Sequence, residues 1–268
     1  MGAAMRELIA FPCAGDTLVG TLDAAAGDTG LLIVSGGNEI RIGAHRGMAL
    51  LAADIAATGH PVFRFDRRGI GDSTGANRGF ESSREDIAAA LAAFRRAAPG
   101  VARIVAFGNC DAASALALHG LTGIEAFVLA NPWVIETADA LPPAAAIRAR
   151  YAQRLRDPKA WLRLLTGGVN MGKLAKGLSK VSKAPAEAPA GLAGRLAAGM
   201  AARAEPITIL LAKRDNTAVA FNEAWQASAF DPLRGRVTIE ERDTGSHSFH
   251  TAEDKAWLRD QLLTAMAP

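Results

Sequence analysis

The sequence predicts an α/β fold with a mostly parallel central sheet flanked by helices. Short apolar runs alternate with longer segments of helical periodicity along most of the 268 residues. The runs at residues 31–34, 104–107 and 126–130 are continuously apolar. Unbroken apolar runs of this length are typical of strands that are buried on both faces of a parallel sheet.

The predicted elements follow one another in a simple order. Two strands near residues 6–11 and 17–22 form an opening hairpin. Next come a strand at 31–34, a helix at 46–58, a strand at 61–66, a helix at 83–96, a strand at 104–107 with a helix directly after it, and a strand at 126–130. Strand patterns return at 207–211 and 236–240, and a helix at 252–266 ends the chain.

The strand–helix alternation stops between residues 136 and 205. That segment has a helical pattern rich in Ala, Arg and Lys. We therefore expect a core formed by residues 1–135 and 206–268, with a helical cap insertion at 136–205. The cap would cover the carboxyl ends of the strands, where open α/β sheets bind their ligands.

Charge is concentrated in the predicted cap. Residues 146–185 contain ten basic side chains and one acidic one, whereas the whole chain has a net charge of +3. Residues 171–183 place four lysines along one face of a predicted amphipathic helix. This pattern indicates either a helix packed on the core with a solvated lysine face, or a surface for an anionic substrate or an anionic membrane.

Composition narrows the class of protein. The two cysteines lie in different kinds of segment, and we expect free thiols and a cytoplasmic location. No signal peptide or membrane span is apparent. The basic segment lacks the interleaved aromatic residues that stack on bases, which disfavours a nucleic-acid partner. No Cys, His and Asp spacing suits zinc, and we expect neither a metal nor another cofactor.

The strongest catalytic candidate is Cys110. It follows the apolar run at 104–107 and directly precedes a helical pattern, which is the arrangement of a nucleophile elbow. In so sharp a turn the residues two before and two after the nucleophile must be small, and here they are Gly108 and Ala112. A register centred on Asp111 would put the larger Asn109 at the first of those positions. The alternative interpretation of Cys110 is a buried, inert thiol.

A base and an orienting acid for that cysteine lie at other strand ends. Asp215 follows the predicted strand at 207–211, and His247 follows the one at 236–240. Carboxyl ends of parallel strands share one edge, so we expect the three side chains to meet there. His247 would accept the thiol proton, and Asp215 would orient the imidazole and stabilise its charged form.

The same edge should supply donors for an oxyanion. The backbone N–H of Asp111 and one from the turn after the third strand, at Gly37 or Asn38, are the candidates. His45 and Arg46 head the next helix, where they cap it, lie on the surface or line the pocket.

Two other residues compete for the catalytic roles. Ser73 lies in a G-x-S-x-G pattern, but the preceding strand ends too early and no helix follows. Gly69 and Gly71, in the same loop, lack the full glycine fingerprint of a phosphate site. His250 is the alternative base, although the sequence around His247 favours the latter. His60 and His119 are expected to be structural.

Several stretches of the chain resemble a known family. Residues 34–38, 41–46, 63–73, 108–114, 131–133 and 247–249 resemble the exosortase A system-associated hydrolases of type 1, within the α/β-hydrolase superfamily. The order of nucleophile, acid and histidine is also that of α/β-hydrolases. The resemblance implies a bacterial protein connected with exopolysaccharide production, and its cysteine nucleophile is similar to that of dienelactone hydrolase. The cap matches little in this family.

We therefore expect a hydrolase that cleaves an ester, thioester or lactone by way of an acyl-enzyme. Two alternatives remain: an acyltransferase with a saccharide acceptor, and a catalytically silent binding protein. The expected substrate is a small-molecule, lipid-linked or saccharide-linked acyl compound, and the basic cap is compatible with an anionic one. The sequence does not indicate an oligomeric state.

Overall fold

A computed structural model describes residues 6–136 and 191–267 of the protein, and its central feature is one eight-stranded sheet. The strands are β1 (Arg6–Cys13), β2 (Asp16–Asp23), β3 (Thr29–Val34), β4 (Val62–Phe65), β5 (Arg103–Asn109), β6 (Ala126–Ala130), β7 (Ile207–Ala212) and β8 (Val237–Arg242). Their order across the sheet is β1-β2-β4-β3-β5-β6-β7-β8.

The sheet is antiparallel at one side and parallel elsewhere. β1 and β2 form the predicted hairpin, whose turn residues Ala14 and Gly15 have φ angles of 49° and 89°. β2 also runs antiparallel to β4, and every later pairing is parallel. The prediction of a mostly parallel sheet flanked by helices is confirmed.

Six described helices cover the two faces of the sheet. They are α1 (Gly47–Ala57), α2 (Arg84–Ala97), α3 (Asp111–His119), α4 (Leu192–Ala201), α5 (Asn216–Ala224) and α6 (Ala252–Met266). α1 and α6 pack on one face, and the other four pack on the opposite face. Alternate strand residues supply each core; in β5, for example, Ile104 and Ala106 face α2 and α3 while Val105 and Phe107 face α1 and α6.

The predicted cap lies mainly outside the described residues. Residues 137–190, which contain the predicted basic amphipathic helix, are not described, and the cap remains a prediction. α4 falls at the end of the predicted cap range, and its Leu196 and Met200 are buried in the larger core. Arg203, just after α4, donates hydrogen bonds of 2.8 Å to the carbonyl oxygens of Leu116 and Ala117 near the end of α3. Within the described ranges, no helix is long and apolar enough to cross a bilayer.

The packing of α4 on α3 leads to a paired prediction. A Cβ at Gly199 would overlap the Ala117 carbonyl oxygen, whereas a Cβ at Gly194 meets no described atom within 4 Å. Gly199→Ala should therefore lower the free energy of unfolding by about 1–3 kcal/mol through overpacking. Gly194→Ala, in the same helix, should raise it by about 0.5–1 kcal/mol, because alanine restricts the unfolded chain and favours helix.

Urea unfolding of the two variants and the wild type measures both effects. The two changes should have opposite signs. Equal stabilisation by both alanines would contradict the close approach of α4 to the α3 backbone.

Candidate active site

The sharp turn between β5 and α3 places Cys110 at the carboxyl edge of the sheet. Cys110 has φ 62° and ψ −127°, a backbone conformation that side-chain-bearing residues rarely adopt. A Cβ at Gly108 would lie 2.7 Å from the Ala112 carbonyl carbon and 2.8 Å from the Ala113 nitrogen. The need for a small residue two positions before the cysteine is thus a direct consequence of how tightly α3 folds back on β5.

Hydrogen bonds from the segment after β6 hold this turn in place. The Cys110 N–H donates to the Ala130 carbonyl oxygen over 2.9 Å, and the Trp133 N–H donates to the Cys110 carbonyl oxygen over 3.3 Å. The Ser114 hydroxyl donates to the Trp133 carbonyl oxygen at 2.7 Å. The strained backbone of Cys110 is therefore fixed on both sides by residues 130–133.

The predicted acid and base lie together beside the cysteine. The Nδ1 atom of His247 is 2.9 Å from Oδ2 of Asp215. Asp215 is the N-cap of α5 and accepts the backbone N–H groups of Thr217 and Ala218 through the same oxygen. Since Nδ1 is used by Asp215, Nε2 is the ring nitrogen left for the thiol of Cys110.

These contacts set the charge of the pair. The hydrogen bond with Asp215 and, next, the nearby Cys110 thiol raise the pKa of His247 from 6.5 to about 10, although partial burial opposes the charged ring. Burial alone would raise the pKa of Asp215, but the hydrogen bond and charge of His247 and two backbone N–H groups hold it below its usual 3.8. The imidazolium–carboxylate form is therefore favoured at neutral pH.

Cys110 and His247 open into one cavity of about 180 Å³. Its other described walls come from the end of β3, the turn after it, α1 and β5, namely Val34, Ser35, Gly36, Gly37, Glu39, Met48, Phe107 and Asn109. A substrate carbonyl in this space would have the thiol, the imidazole and the backbone of the β3 turn within its surroundings.

The expected oxyanion donors are partly engaged. The Gly37 N–H donates to a carboxylate oxygen of Asp111, and the Gly37 carbonyl oxygen accepts from Arg67. The second carboxylate oxygen of Asp111 is 3.9 Å from the Arg67 guanidinium. The Asn38 side chain accepts a hydrogen bond from Asn77 at 2.8 Å. Gly37 can therefore donate to a substrate oxygen only after the Asp111 side chain turns away.

Buried ion pairs anchor the loop that carries this turn. Arg41 contacts Asp66, which also accepts the Arg41 backbone N–H. The guanidinium of Arg64, 1% exposed, donates to the Arg41 carbonyl oxygen at 2.9 Å and to Asp23 at 3.0 Å. Because each buried cation has a carboxylate partner, the loop is held without an uncompensated charge.

Among the described residues, His45, Arg46 and His250 lie outside the lining of the Cys110 cavity. His45 and His250 line a smaller neighbouring cavity, with ring centroids 6.3 Å apart. The Nδ1 atom of His250 lies 2.6 Å from the Ser246 hydroxyl, so its ring is directed to Ser246 and not to Asp215.

The side chain of Ser73 is used in hydrogen bonds to the backbone. Its hydroxyl donates to the Asp66 carbonyl oxygen at 2.8 Å and accepts the Val19 N–H at 3.0 Å. Gly69 and Gly71 adopt positive φ angles of 68° and 55° in the turn around Asp66. Within the described chain, no group of three or more His, Cys, Asp or Glu side chains is arranged to hold a metal ion.

Sequence analysis missed several residues of the site. Glu39 and Met48 line the cavity, and Arg67 holds the β3 turn. The side-chain amides of Asn109 and Asn131 both donate to the His247 carbonyl oxygen, over 3.2 and 3.1 Å. Asn131 directly follows the apolar strand β6, as Cys110 directly follows β5, and that position was an available signal.

The strand order, with the turn after β5 and the His–Asp pair after β7 and β8, defines the class of this protein as an α/β hydrolase fold. A sequence model described as "Alpha/beta hydrolase family" matches residues 31–260, and the chain belongs to that family. A search of curated protein sequences finds no match to the chain.

Solved structures agree on the fold at low identity. The Pyrococcus furiosus esterase Pf2001 superposes with a TM-score of 0.64 at 15% identity, over 98% of this chain and 94% of its own. GrgF, an alpha/beta hydrolase from Penicillium sp. sh18, gives 0.63 at 17%, over 98% and 100%. The thioesterase domain from the curacin biosynthetic pathway gives 0.57 at 12%, over 97% and 99%.

The raised pKa of His247 predicts how stability depends on pH. Between pH 6.5 and about pH 10, His247 keeps its proton in the folded chain and has released it in the unfolded chain. The stability contributed by His247 is thus complete below pH 6.5 and decreases as pH rises through that window. We expect the difference in free energy of unfolding between parent and His247→Gln to shrink steadily as pH increases.

Both proteins should carry Cys110→Ala, so that titration of the thiol does not contribute. The Asp215 hydrogen bond, the larger cause of the shift, remains in that background, so the trend keeps its sign while the window ends at a lower pH than with Cys110 present. Urea unfolding between pH 6 and 10 measures the difference. A difference independent of pH would contradict the His247–Asp215 pairing.

Proposed function

We propose that this protein is a cysteine hydrolase that cleaves an ester, thioester or lactone through a Cys110 acyl-enzyme. One observation carries the proposal. His247, which is hydrogen-bonded to Asp215 and has a pKa raised to about 10, shares a cavity with a cysteine placed on a strained strand-to-helix turn. An imidazolium next to a cysteine favours the nucleophilic thiolate.

Acylation follows from the positions of the groups. The Cys110 sulfur, its proton transferred to Nε2 of His247, attacks the substrate carbonyl carbon and forms a C–S bond, while the C=O electron pair moves to oxygen. When that pair returns, the bond to the leaving alkoxide or thiolate breaks, and His247 gives its proton to the leaving group. Asp215 remains ionised and keeps Nδ1 protonated.

Deacylation uses the same histidine as a base. Neutral His247 removes a proton from water, and the resulting hydroxide attacks the acyl carbon. The tetrahedral intermediate collapses with cleavage of the C–S bond, which releases the carboxylic acid and leaves the thiolate–imidazolium pair. The oxyanion in both stages would be stabilised by the Asp111 N–H, at the first turn of α3, and by Gly37 once its N–H is released from the Asp111 carboxylate.

Several features support this choice of reaction. Two of the similar structures are named an esterase and a thioesterase domain, although each is under 20% identical to this chain. The resemblance to exosortase-associated hydrolases points to an acyl group on a saccharide or lipid of an exopolysaccharide system. The basic segment at 146–185 suits an anionic substrate of that kind.

The second thiol provides an internal control for labelling. Cys13 is 4% exposed and donates to Asp86 at 3.5 Å. Burial and, next, the charge of Asp86 raise the pKa of the Cys13 thiol to about 11. We expect a chloroacetamide probe at pH 7 to modify Cys110 and leave Cys13 unmodified, as read by peptide mass spectrometry. Labelling of Cys110 should fall sharply in His247→Ala, whereas an inert Cys110 would favour a binding protein.

A panel of p-nitrophenyl esters and thioesters of varied chain length tests the reaction. Cys110→Ala should lose turnover by about 10³-fold or more, because the nucleophile is absent. Ser73→Ala should keep most of it. The intact mass of the quenched wild type should show one added acyl group. Turnover that survives in Cys110→Ala would overturn the proposal, and acylated product formed only with an added sugar would indicate an acyltransferase.

A further inference from the structure

Asn131 lies between the chain segments that carry the three proposed catalytic residues. It directly follows β6, has φ 42°, and is completely buried. Residues 131–133, Asn-Pro-Trp, belong to the stretches that resemble exosortase-associated hydrolases, and the proposed reaction assigns them no role. The Asn131 side chain reaches three separate segments of the active-site edge.

The Asn131 amide nitrogen contacts the base and the residue before the nucleophile. Nδ2 donates to the His247 carbonyl oxygen at 3.1 Å and to Oδ1 of Asn109 at 3.2 Å. Asn109 is adjacent to Cys110 and donates its own amide to the same His247 carbonyl oxygen at 3.2 Å. Two side-chain amides therefore connect the main chain of His247 to the turn that carries Cys110.

The amide oxygen of Asn131 contacts the segment that leads to the acid. Oδ1 accepts the Ala212 N–H at 2.8 Å. The Ala212 carbonyl oxygen in turn accepts the Asp215 N–H at 2.8 Å. Both amide hydrogens and the oxygen of Asn131 are thus used, and full burial excludes water as a replacement partner.

We propose that Asn131 is a positioning residue that aligns His247 with Cys110 and Asp215 through these three hydrogen bonds. The inference rests on the proposed function, since it assumes that these residues act together. It goes further in assigning the alignment to a single side chain. An asparagine also suits the positive φ at this position, and the test must separate that backbone role from the amide role.

Two variants make the separation. Asn131→Gly keeps the freedom to adopt positive φ but removes the amide. Asn131→Asp keeps the size and tolerates the same φ, but its side chain faces the His247 carbonyl oxygen and the Asn109 amide oxygen with one hydrogen to donate when protonated and none when ionised, in place of the two of the amide. If the residue serves only the backbone, Asn131→Gly should behave like the wild type.

The readout is the rate of Cys110 alkylation by iodoacetamide between pH 5 and 10, which needs no substrate. In the wild type, pairing with the imidazolium should keep the rate high from acidic pH upward. In both variants we expect the rate at pH 6 to fall about tenfold or more, the effect of a shift of one pH unit in the profile. The variant profile should rise with pH, as that of an ordinary thiol does.

The outcomes separate this inference from the proposed function. A wild-type profile that already follows an ordinary thiol would reject the proposed function. If the wild-type rate at pH 6 is raised and either folded variant retains that rate, the role of Asn131 is overturned and the proposed function is not. Circular dichroism establishes folding. Global unfolding of both variants would also contradict the inference, because it expects a local misalignment within a folded chain.

Discussion

Parallel pairing of five neighbouring strands is the constraint on which the site depends. Val34 of β3 pairs with Gly108 of β5, and Asn109 of β5 pairs with Ala130 of β6. Ala130 in turn pairs with Leu210 of β7, and Ala212 of β7 pairs with Arg242 of β8. These pairs bring the carboxyl ends of all five strands to one edge. The oxyanion turn, the cysteine, Asn131, the acid and the histidine each follow one of those ends, so residues far apart in sequence share a small volume.

The sharp turn at Cys110 uses part of the stability that this sheet provides. A residue with side chain held at φ 62° costs about 1–3 kcal/mol, and the conformation persists only where its surroundings determine it. Here those surroundings are the hydrogen bonds with Ala130 and Trp133, and the close packing of α3 against Gly108. The turn places Cys110 on the wall of the cavity that His247 also lines.

Two acidic side chains at this edge would have opposite effects on the proposed reaction. Asp215 stabilises the charged form of His247 and so favours the reactive state. Asp111 binds the Gly37 N–H and lies close to Arg67, which leaves the oxyanion turn engaged by the protein itself. In the proposed reaction, a substrate would compete with the Asp111 carboxylate for that donor. This competition would favour substrates that bind tightly enough elsewhere in the cavity to turn Asp111 aside.

The sequence by itself determined the sheet, its opening hairpin and the strand ends that carry Cys110, Asp215 and His247, because apolar periodicity and turn composition are local properties of the chain. It also indicated the cysteine's register, since only small residues fit beside so sharp a turn. Tertiary structure alone decided that Asp111 engages Gly37, that His45 faces a neighbouring cavity, and that Asn131 joins three strand ends. Those contacts depend on how loops from distant segments approach one another, and no local pattern encodes that geometry.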